Sequence, residues 1–207
     1  MSSRNDDVRR QALANLKEFE VLMIDGHFDY GNGYHGQVYL NPHKLFRQPS
    51  AIWRFAQDVI DILPETVVGA TDVVAGPVMG GALLAHTVAG LMDGRRSLTH
   101  PQCSFAPISL DADGALAIRT FYRSVLNGKR VLLVDDVRNT GKTFERAKAL
   151  IESAGGQVIA TAQIYDRMEA IVDLGVPNYP LAEYKAPDNH LAADCPMCKA
   201  GTPITTF

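Results

Sequence analysis

The sequence lacks the features that mark secreted and membrane proteins. Its 207 residues include three cysteines, an odd and small number that favours a reducing cytoplasm over an oxidising compartment. No apolar run approaches the ~18 residues that suggest a membrane-spanning helix. The polar amino terminus, Met1 to Asp7, lacks the apolar core of a secretory signal peptide. We therefore expect a cytoplasmic protein without membrane attachment.

Charge of one sign is also scarce. The formal net charge is −3 and no long basic run occurs, so the chain has no electrostatic footprint for a nucleic-acid partner. Apolar residues make up 46% and charged residues 21% of the sequence, which places it among ordinary globular proteins. The length suits one domain over residues 1–207, with a small appended lobe.

The hydrophobic pattern alternates between helices and strands. The predicted helices are 6–22, 50–63, one through Leu83 to Leu91, and 144–154, and the predicted strands are 72–76, 103–108, 131–134 and 158–165. Ser50 is the expected cap of the second helix, and Trp53 falls on its apolar face, which predicts a core residue. The alternation predicts an α/β fold with a mainly parallel β-sheet flanked by helices.

The strongest single feature follows the most apolar strand. Val131 to Val134 is a continuous apolar run, typical of a central parallel strand that is buried on both faces. Asp135 and Asp136 come next, and Thr140-Gly141-Lys142-Thr143 opens the following helix. Ligands of open α/β sheets lie beyond the carboxyl ends of the strands, and a helix amino terminus offers N–H donors and a positive dipole end. We therefore expect an anion-binding site here.

The two aspartates indicate what kind of ligand carries the anion. Carboxylates beside a phosphate alone would repel it, so they favour sugar hydroxyls, a bound Mg²⁺, or a sugar carbon that becomes positive in the transition state. A nucleotide-triphosphatase P-loop requires a glycine five positions before Gly141, where this chain has Asp136. A solvated strand end or a helix cap is the structural alternative for Asp135 and Asp136. A ligand with a phosphate, a ribose and a cationic reaction centre satisfies the whole pattern.

This segment resembles the diphosphate-sugar binding motif of the type I phosphoribosyltransferases: an apolar strand, two acids, then Thr-Gly-x-Thr. The resemblance implies that family's fold, a mainly parallel sheet flanked by helices with a small hood subdomain, and 5-phosphoribosyl 1-diphosphate as a substrate. It also implies that Asp135 and Asp136 hold the ribose, and hold Mg²⁺ mainly through the substrate and water. The residues implied to hold the 5′-phosphate are Asn139, Thr140, Gly141, Lys142 and Thr143.

Four further stretches resemble the orotate phosphoribosyltransferases in particular. They are Gly26 to Pro49, Val73 to Gly81, Leu116 to Phe121 and Asp166 to Glu169. The resemblance implies a hood, built from about residues 20–49 and the carboxyl-terminal segment, over a core of about residues 50–175. The implied contacts of the diphosphate are Gly76, Pro77, Val78, Met79, Gly80 and Gly81.

The same resemblance assigns the remaining roles. Arg119 joins Asp135 and Asp136 in catalysis by stabilising the departing diphosphate. Arg167 pairs with the carboxylate of orotate, and the structural alternative for Arg167 is a surface ion pair with Asp166 or Glu169. The implied contacts of the base in the hood are Tyr39 and Phe28. The expected reaction transfers the phosphoribosyl group to orotate, giving orotidine 5′-monophosphate and diphosphate in pyrimidine (UMP) biosynthesis. The expected assembly is a homodimer.

The chain lacks lysines that many members of this family carry. The matching positions are Gly31 in the hood and about Gly80 in the diphosphate loop, and the acidic loop at 109–115 has no lysine. Two alternatives therefore stay open. The acceptor is another nucleobase, or the protein is a regulator that binds phosphoribosyl diphosphate without turnover.

Cys195 and Cys198 have the two-residue spacing of zinc ligands. A structural zinc site needs four ligands, and the remaining cysteine, Cys103, falls on a predicted strand. The pair is half of a site, so we favour a structural corner over zinc. His27 and His35 in the hood suit contact with the base or the diphosphate and simple loop packing equally.

Overall fold

The computed structural model describes residues 4–31, 33–96, 99–169 and 172–206. Its helices are α1 (Arg4–Glu18), α2 (His43–Phe46), α3 (Pro49–Ile62), α4 (Glu65–Ala70), α5 (Gly80–Gly94), α6 (Thr120–Leu126), α7 (Lys142–Ser153) and α8 (Pro196–Lys199). Its strands are β1 (Leu22–Met23), β2 (Phe28–Asp29), β3 (Tyr34–Gly36), β4 (Tyr39–Leu40), β5 (Val73–Pro77), β6 (Ser104–Leu110), β7 (Leu116–Ala117), β8 (Arg130–Arg138), β9 (Gln157–Asp166), β10 (Asn178–Glu183) and β11 (His190–Leu191). Within these ranges no helix combines the length and apolar character needed to cross a membrane.

Six strands form the main sheet, in the order β10-β9-β8-β5-β6-β7. Neighbouring strands run parallel except for the short β7, which is antiparallel to β6. β8 lies between β5 and β9, and Val131 to Val134 in it are completely buried. Full burial of a valine or leucine side chain contributes ~1.5–3 kcal/mol, so this run anchors the sheet. The predicted α/β fold with a mainly parallel sheet is confirmed.

Alternate residues of β8 face two separate cores. Leu132 and Val134 pack into a cluster with residues of α1, α3 and α5, whereas Val131 and Leu133 pack with residues of α6 and α7. The side chains of a strand alternate between its faces, so one continuous apolar run fills both cores. Helices cover both faces of the sheet along Val131 to Val134. Asp135 and Asp136 follow at the carboxyl-terminal end of β8.

Short antiparallel strands form two smaller sheets. One pairs β1 with β4, and the other has the order β11-β3-β2. The second sheet joins distant parts of the chain, because His190 of β11 pairs with His35 of β3. Farther along, the Thr205 N–H donates to the His27 carbonyl at 2.8 Å. The carboxyl-terminal segment is thereby hydrogen-bonded to the strands of the 20–49 region.

Three local predictions about the helices are wrong. Ser50 does not cap α3, which begins at Pro49 after Gln48, because proline suits the first position of a helix. Trp53 is not a core residue, since 48% of it is exposed. α1 ends at Glu18 instead of residue 22, and Glu20 takes a positive φ of 53°. Helical spacing shows which residues share a face, but not whether another element covers that face.

Candidate active site

A cavity of about 910 Å³ opens at the carboxyl ends of β5 and β8. Pro77 to Gly80 line it from the end of β5, and Asp135 to Val137 from β8. Thr143 and Arg146 line it from α7, and Gly114 to Leu116 from the turn between β6 and β7. Parallel sheets place their ligands at this edge, so the cavity lies where the two acids predict a site.

Asp135 and Asp136 are held in fixed positions within this cavity. The Asp136 N–H donates to Oδ1 of Asp135 at 2.9 Å, and the Val137 N–H donates to Oδ1 of Asp136 at 2.8 Å. Asp135 is only 8% exposed. Burial, and after it the adjacent Asp136 carboxylate, raise the pKa of Asp135 well above its ordinary value.

The raised pKa indicates which ligands this carboxyl pair favours. Burial and a neighbouring negative charge both disfavour the ionised form of Asp135, whereas a nearby positive charge or a hydroxyl donor favours it. A divalent cation, sugar hydroxyls and a carbon that gains positive charge are three such partners. The pair therefore suits a sugar ligand that brings positive charge to the strand end.

Two glycines at the start of α5 allow the loop after β5 to contact this pair. A Cβ on Gly80 would overlap the Asp136 carboxylate, and a Cβ on Gly81 would lie 2.6 Å from Oδ1 of Asp135. Only glycine permits so close an approach. The peptide bond between Val78 and Met79 is cis, and these two residues are 40% and 63% exposed. The loop is thus tightly packed at Gly80 and Gly81, where it contacts the two aspartates, and exposed at Val78 and Met79, which line the cavity.

The start of α7 forms a second, smaller cavity of about 90 Å³. Gly141, the N-cap residue, has a φ of 86° and no side chain caps the helix, so the first N–H groups of α7 are available to an anion. The lining residues include Asn139, Thr140, Gly141, Lys142 and Thr143. Arg138 also lines it, and its buried Nε–H finds no acceptor among the described residues. The structure brings the expected phosphate-binding residues together.

A third cavity, of about 430 Å³, lies next to the first. Arg167 and Tyr39 line it, as do Tyr30 and Asn189, and Val137 and Asn139 line both this cavity and the 910 Å³ one. Arg167 Nε is 3.1 Å from Oε1 of Glu169, so the guanidinium has an ion-pair partner while it faces the cavity. This is the position expected for the base.

Four expected site residues lie outside these cavities: Gly76 and Gly81, which are buried in the packed part of the loop, and Phe28 and Arg119. Phe28 is 5% exposed and packs against the ring of Tyr39, with 5.9 Å between centroids. It therefore supports Tyr39, which lines the 430 Å³ cavity. Arg119 is exposed at the start of α6 and does not line the 910 Å³ cavity. It follows the β6–β7 turn, whose Gly114 to Leu116 do line it.

Sequence reasoning missed several residues of these cavities, among them His43, Arg146, Tyr30 and Asn189. Arg146 follows Thr143 by three positions, which is the same face of a helix, so helical spacing was a usable signal. Tyr30 and Asn189 meet only in the folded chain, where the Tyr30 hydroxyl donates to Oδ1 of Asn189 at 3.2 Å. No local pattern connects residues so far apart in sequence.

Comparison with known proteins identifies the family. A family model described as a phosphoribosyl transferase domain matches residues 50–175. The orotate phosphoribosyltransferase of Caldanaerobacter subterraneus subsp. tengcongensis is 31% identical over 191 residues, covering 91% of this chain and 93% of that relative. The chain belongs to the orotate phosphoribosyltransferase family. The orotate phosphoribosyltransferase of Rhizorhabdus wittichii is 32% identical over 183 residues, covering 86% of this chain and 84% of the relative.

Solved structures agree on the fold. The orotate phosphoribosyltransferase of Aeropyrum pernix matches with a TM-score of 0.63 at 19% identity, over 82% of this chain and 92% of that one. The adenine phosphoribosyltransferase of Thermoanaerobacter pseudethanolicus matches with a TM-score of 0.61 at 19% identity, over 83% and 99%. The chain has the type I phosphoribosyltransferase fold. Enzymes for different nucleobases share this fold, so the fold alone does not identify the nucleobase that the protein uses.

Proposed function

We propose that this enzyme transfers the phosphoribosyl group of 5-phosphoribosyl 1-diphosphate to orotate, giving orotidine 5′-monophosphate and diphosphate in pyrimidine biosynthesis. The observation that carries the proposal is the wall shared by the 910 Å³ and 430 Å³ cavities. Val137 and Asn139 line both, so a sugar held beside Asp135 and Asp136 lies next to a base held beside Arg167. The phosphate cavity at the start of α7 adjoins the same residues.

Each cavity has its own part of the substrates to bind. Asn139 to Thr143 hold the 5′-phosphate through the first N–H groups of α7 and the threonine hydroxyls. Asp135 and Asp136 accept hydrogen bonds from the ribose hydroxyls. Gly76 to Gly81 contact the diphosphate, and Arg146 adds positive charge to the cavity in a chain that lacks the usual lysines.

The chemistry is a loose displacement at the anomeric carbon. The bond from that carbon to the diphosphate oxygen lengthens, positive charge develops on the sugar, and the ring nitrogen of orotate then forms the new bond. The carboxylates at the end of β8 stabilise the positive sugar because they are fixed in place before the reaction. Arg167 orients orotate, since a planar guanidinium matches a planar carboxylate.

The carboxyl pair also fits Mg²⁺. Carboxylate oxygens are the ligands that Mg²⁺ prefers, and it usually keeps several waters and binds through substrate phosphates. The buried Asp135, whose pKa burial raises, gains a stabilising charge from such an ion. When bound, Mg²⁺ neutralises the negative charge of the departing diphosphate. Asp135 and Asp136 hold it mainly through the substrate and water.

Arg119 lies outside the 910 Å³ cavity of its own chain, which fits a role in a neighbouring active site. We propose that the protein is a homodimer in which the β6–β7 turn and Arg119 reach the partner's diphosphate. Residues 1–207 then act as one phosphoribosyltransferase domain, with the hood over the core. The three cysteines are free, which suits the reducing cytoplasm that we propose as its location.

Trp53 offers a test of the homodimer. It is 48% exposed on α3, and aromatic residues are enriched at protein–protein interfaces. Leu83, on the neighbouring α5, is 44% exposed. We expect the wild-type protein to sediment as a dimer, Trp53→Glu as a monomer, and Trp53→Phe as a dimer. A monomeric wild-type protein at high concentration would contradict the proposal.

Arg167→Ala tests the base assignment. The variant loses a charge-assisted contact to the orotate carboxylate, so we expect kcat/KM for orotate to fall about 100-fold, mainly through KM. Arg167→Lys keeps the charge but loses the planar fork, and should be intermediate. The measurement is the loss of orotate absorbance in the ultraviolet, with phosphoribosyl diphosphate and Mg²⁺ present.

Lys185→Ala is the matched control. Lys185 is an exposed cation that lines a separate cavity together with Arg167, so its loss removes the same charge nearby and should leave turnover close to wild type. Diphosphate release with adenine and none with orotate would favour another nucleobase. Calorimetric binding of phosphoribosyl diphosphate without diphosphate release from any base would favour a regulatory binder.

A further inference from the structure

Four side chains with metal-binding atoms converge in the hood, away from the proposed active site. They are His27, His35, Cys195 and Cys198, and one ligand atom of each lies within 4.8 Å of the other three. The histidines come from the β2–β3 region and the cysteines from the segment around α8. Sequence alone gives Cys195 and Cys198 as half of a zinc site. The fold brings His27 and His35 to them as two further ligands.

Four of the six distances between ligand atoms match those of a tetrahedral zinc site, and the other two are within 4.8 Å. The His27 Nε2–His35 Nδ1 separation is 3.3 Å. Nitrogen-to-sulfur distances are 3.5 Å from His27 Nε2 to Cys195, 3.6 Å from His27 Nε2 to Cys198, and 3.3 Å from His35 Nδ1 to Cys198. Zinc bonds of ~2.3 Å to sulfur and ~2.05 Å to nitrogen, at tetrahedral angles, give separations of about 3.6 Å for N···S and about 3.4 Å for N···N.

The outer atoms of both histidines are arranged as in metal sites. His27 Nδ1 lies 2.9 Å from the Thr202 carbonyl, so its N–H donates there and the lone pair of Nε2 is left to face the cysteines. His35 Nε2 lies 3.9 Å from Oδ1 of Asp29, which is too long for a hydrogen bond, but the nearby carboxylate favours the proton on Nε2 and leaves the lone pair on Nδ1. Both rings therefore present a lone pair to the same point.

Burial and charge favour a cation at that point. His27, His35 and Cys195 are buried, at 3%, 8% and 0% exposure, whereas Cys198 lies at the surface. Two thiolates and two neutral imidazoles carry a charge of −2, which a divalent ion cancels. Soft sulfur with imidazole selects zinc over Mg²⁺, and tetrahedral coordination by two sulfurs and two nitrogens is typical of structural zinc.

We propose that His27, His35, Cys195 and Cys198 bind one Zn²⁺ ion that fastens the carboxyl-terminal segment to the hood. The ion lies where β11 pairs with β3 and where the Thr205 N–H meets the His27 carbonyl. Tyr30, just after β2, and Asn189, just before β11, line the base cavity. The zinc ion thus has a positioning role, because it fixes the two segments from which that wall is made.

Metal analysis of the ligand-free protein tests the proposal independently of any transferase activity. Wild type, purified under reducing conditions with Zn²⁺ and then dialysed, should retain one equivalent of zinc per chain. Cys198→Ser should retain at least tenfold less, and since Cys198 is exposed its loss leaves the core packing in place. Cys103→Ser is the matched control, because it removes the cysteine outside the cluster and should keep the full equivalent.

Cobalt substitution reports the geometry. Co²⁺ in place of zinc should give the intense visible bands of tetrahedral cobalt and a near-ultraviolet sulfur-to-cobalt charge-transfer band, both absent in Cys198→Ser. Removal of zinc by a chelator should lower the Tm of wild type by about 10 °C and leave that of Cys198→Ser unchanged. A wild-type protein that retains no zinc, or a weak octahedral cobalt spectrum, would overturn the proposal.

Discussion

Replacement of Asp135 by asparagine is expected to lower kcat about 1000-fold while making the ligand-free protein more stable. In the proposed reaction the Asp135 carboxylate lies beside the anomeric carbon, and loss of one such preorganised electrostatic contact lowers kcat by about 10²–10³-fold. Stability moves the other way because Asp135 is buried next to Asp136, and both factors raise its pKa. Asparagine removes the charge that burial disfavours, which should add about 1 kcal/mol to the free energy of unfolding.

The pH dependence of this stability follows from the raised pKa. The folded protein binds a proton at Asp135 more tightly than the unfolded chain does, so the contribution of Asp135 to stability is full below its unfolded-state pKa. That contribution is lost as the pH rises through the higher folded-state pKa. The difference in unfolding free energy between Asp135→Asn and wild type should therefore grow as the pH rises, and then level off. Urea unfolding over a series of pH values measures it.

Asp173→Asn is the control for both effects. Asp173 is exposed and accepts a hydrogen bond from the Gly175 N–H at 2.9 Å, an acceptor that asparagine retains, so neither kcat nor stability should change. An Asp135→Asn enzyme that keeps wild-type kcat would remove Asp135 from the reaction. A stability difference that shrinks with rising pH would contradict the assigned direction of the pKa shift.

Replacement of Gly76 by alanine is expected to destabilise the fold by about 3 kcal/mol. A Cβ at this position would overlap the Gly81 carbonyl oxygen and lie 3.0 Å from the Val134 carbonyl oxygen. Both obstacles are backbone atoms of the sheet and of α5, so neither can move aside as a flexible side chain does. For a chain of this length the Tm should fall by about 10 °C.

Gly90→Ala is the matched control for the glycine effect. Gly90 lies within α5, and a Cβ there meets no atom within 4 Å. Alanine in an exposed helix position is favoured over glycine by about 0.5–1 kcal/mol, so this variant should be slightly more stable. Calorimetry or urea unfolding separates the two cases. Equal Tm values for Gly76→Ala and wild type would mean that the loop and β5 do not pack as closely as described.

The fold and half of the site could be predicted because their signals are local. Val131 to Val134 are apolar without interruption, which reveals a central strand, and the acids and the Thr-Gly-Lys-Thr turn follow directly. The consecutive residues of one strand and one helix amino terminus thus predict where the phosphate and the ribose bind. The loop from Gly76 to Gly81 follows an apolar strand in the same way, but its role comes from the family resemblance and not from this local pattern.

The rest of the site depends on which distant residues meet. Tyr30 and Asn189 are 159 positions apart, and Cys198 and His35 are 163 apart. Nothing in the composition of either segment indicates its partner, because the pairing is set by the register of β11 against β3. Trp53 illustrates the converse case, in which a local pattern predicts a packing partner that the fold does not supply. Its spacing is that of a core residue, but within the described chain nothing covers that face of α3 enough to bury it.

The pairing of β11 with β3 also affects the order in which the molecule is made. Translation adds residues from the amino terminus at about 5–20 per second, so His35 of β3 exists for roughly 10 to 30 seconds before its partner His190 is synthesised. During that interval the edge of β3 has no β11 to pair with, whereas most strands of the main sheet find their neighbours sooner. On the ribosome, therefore, the strands of the main sheet are available for pairing before the wall of the 430 Å³ cavity that Tyr30 and Asn189 share is complete.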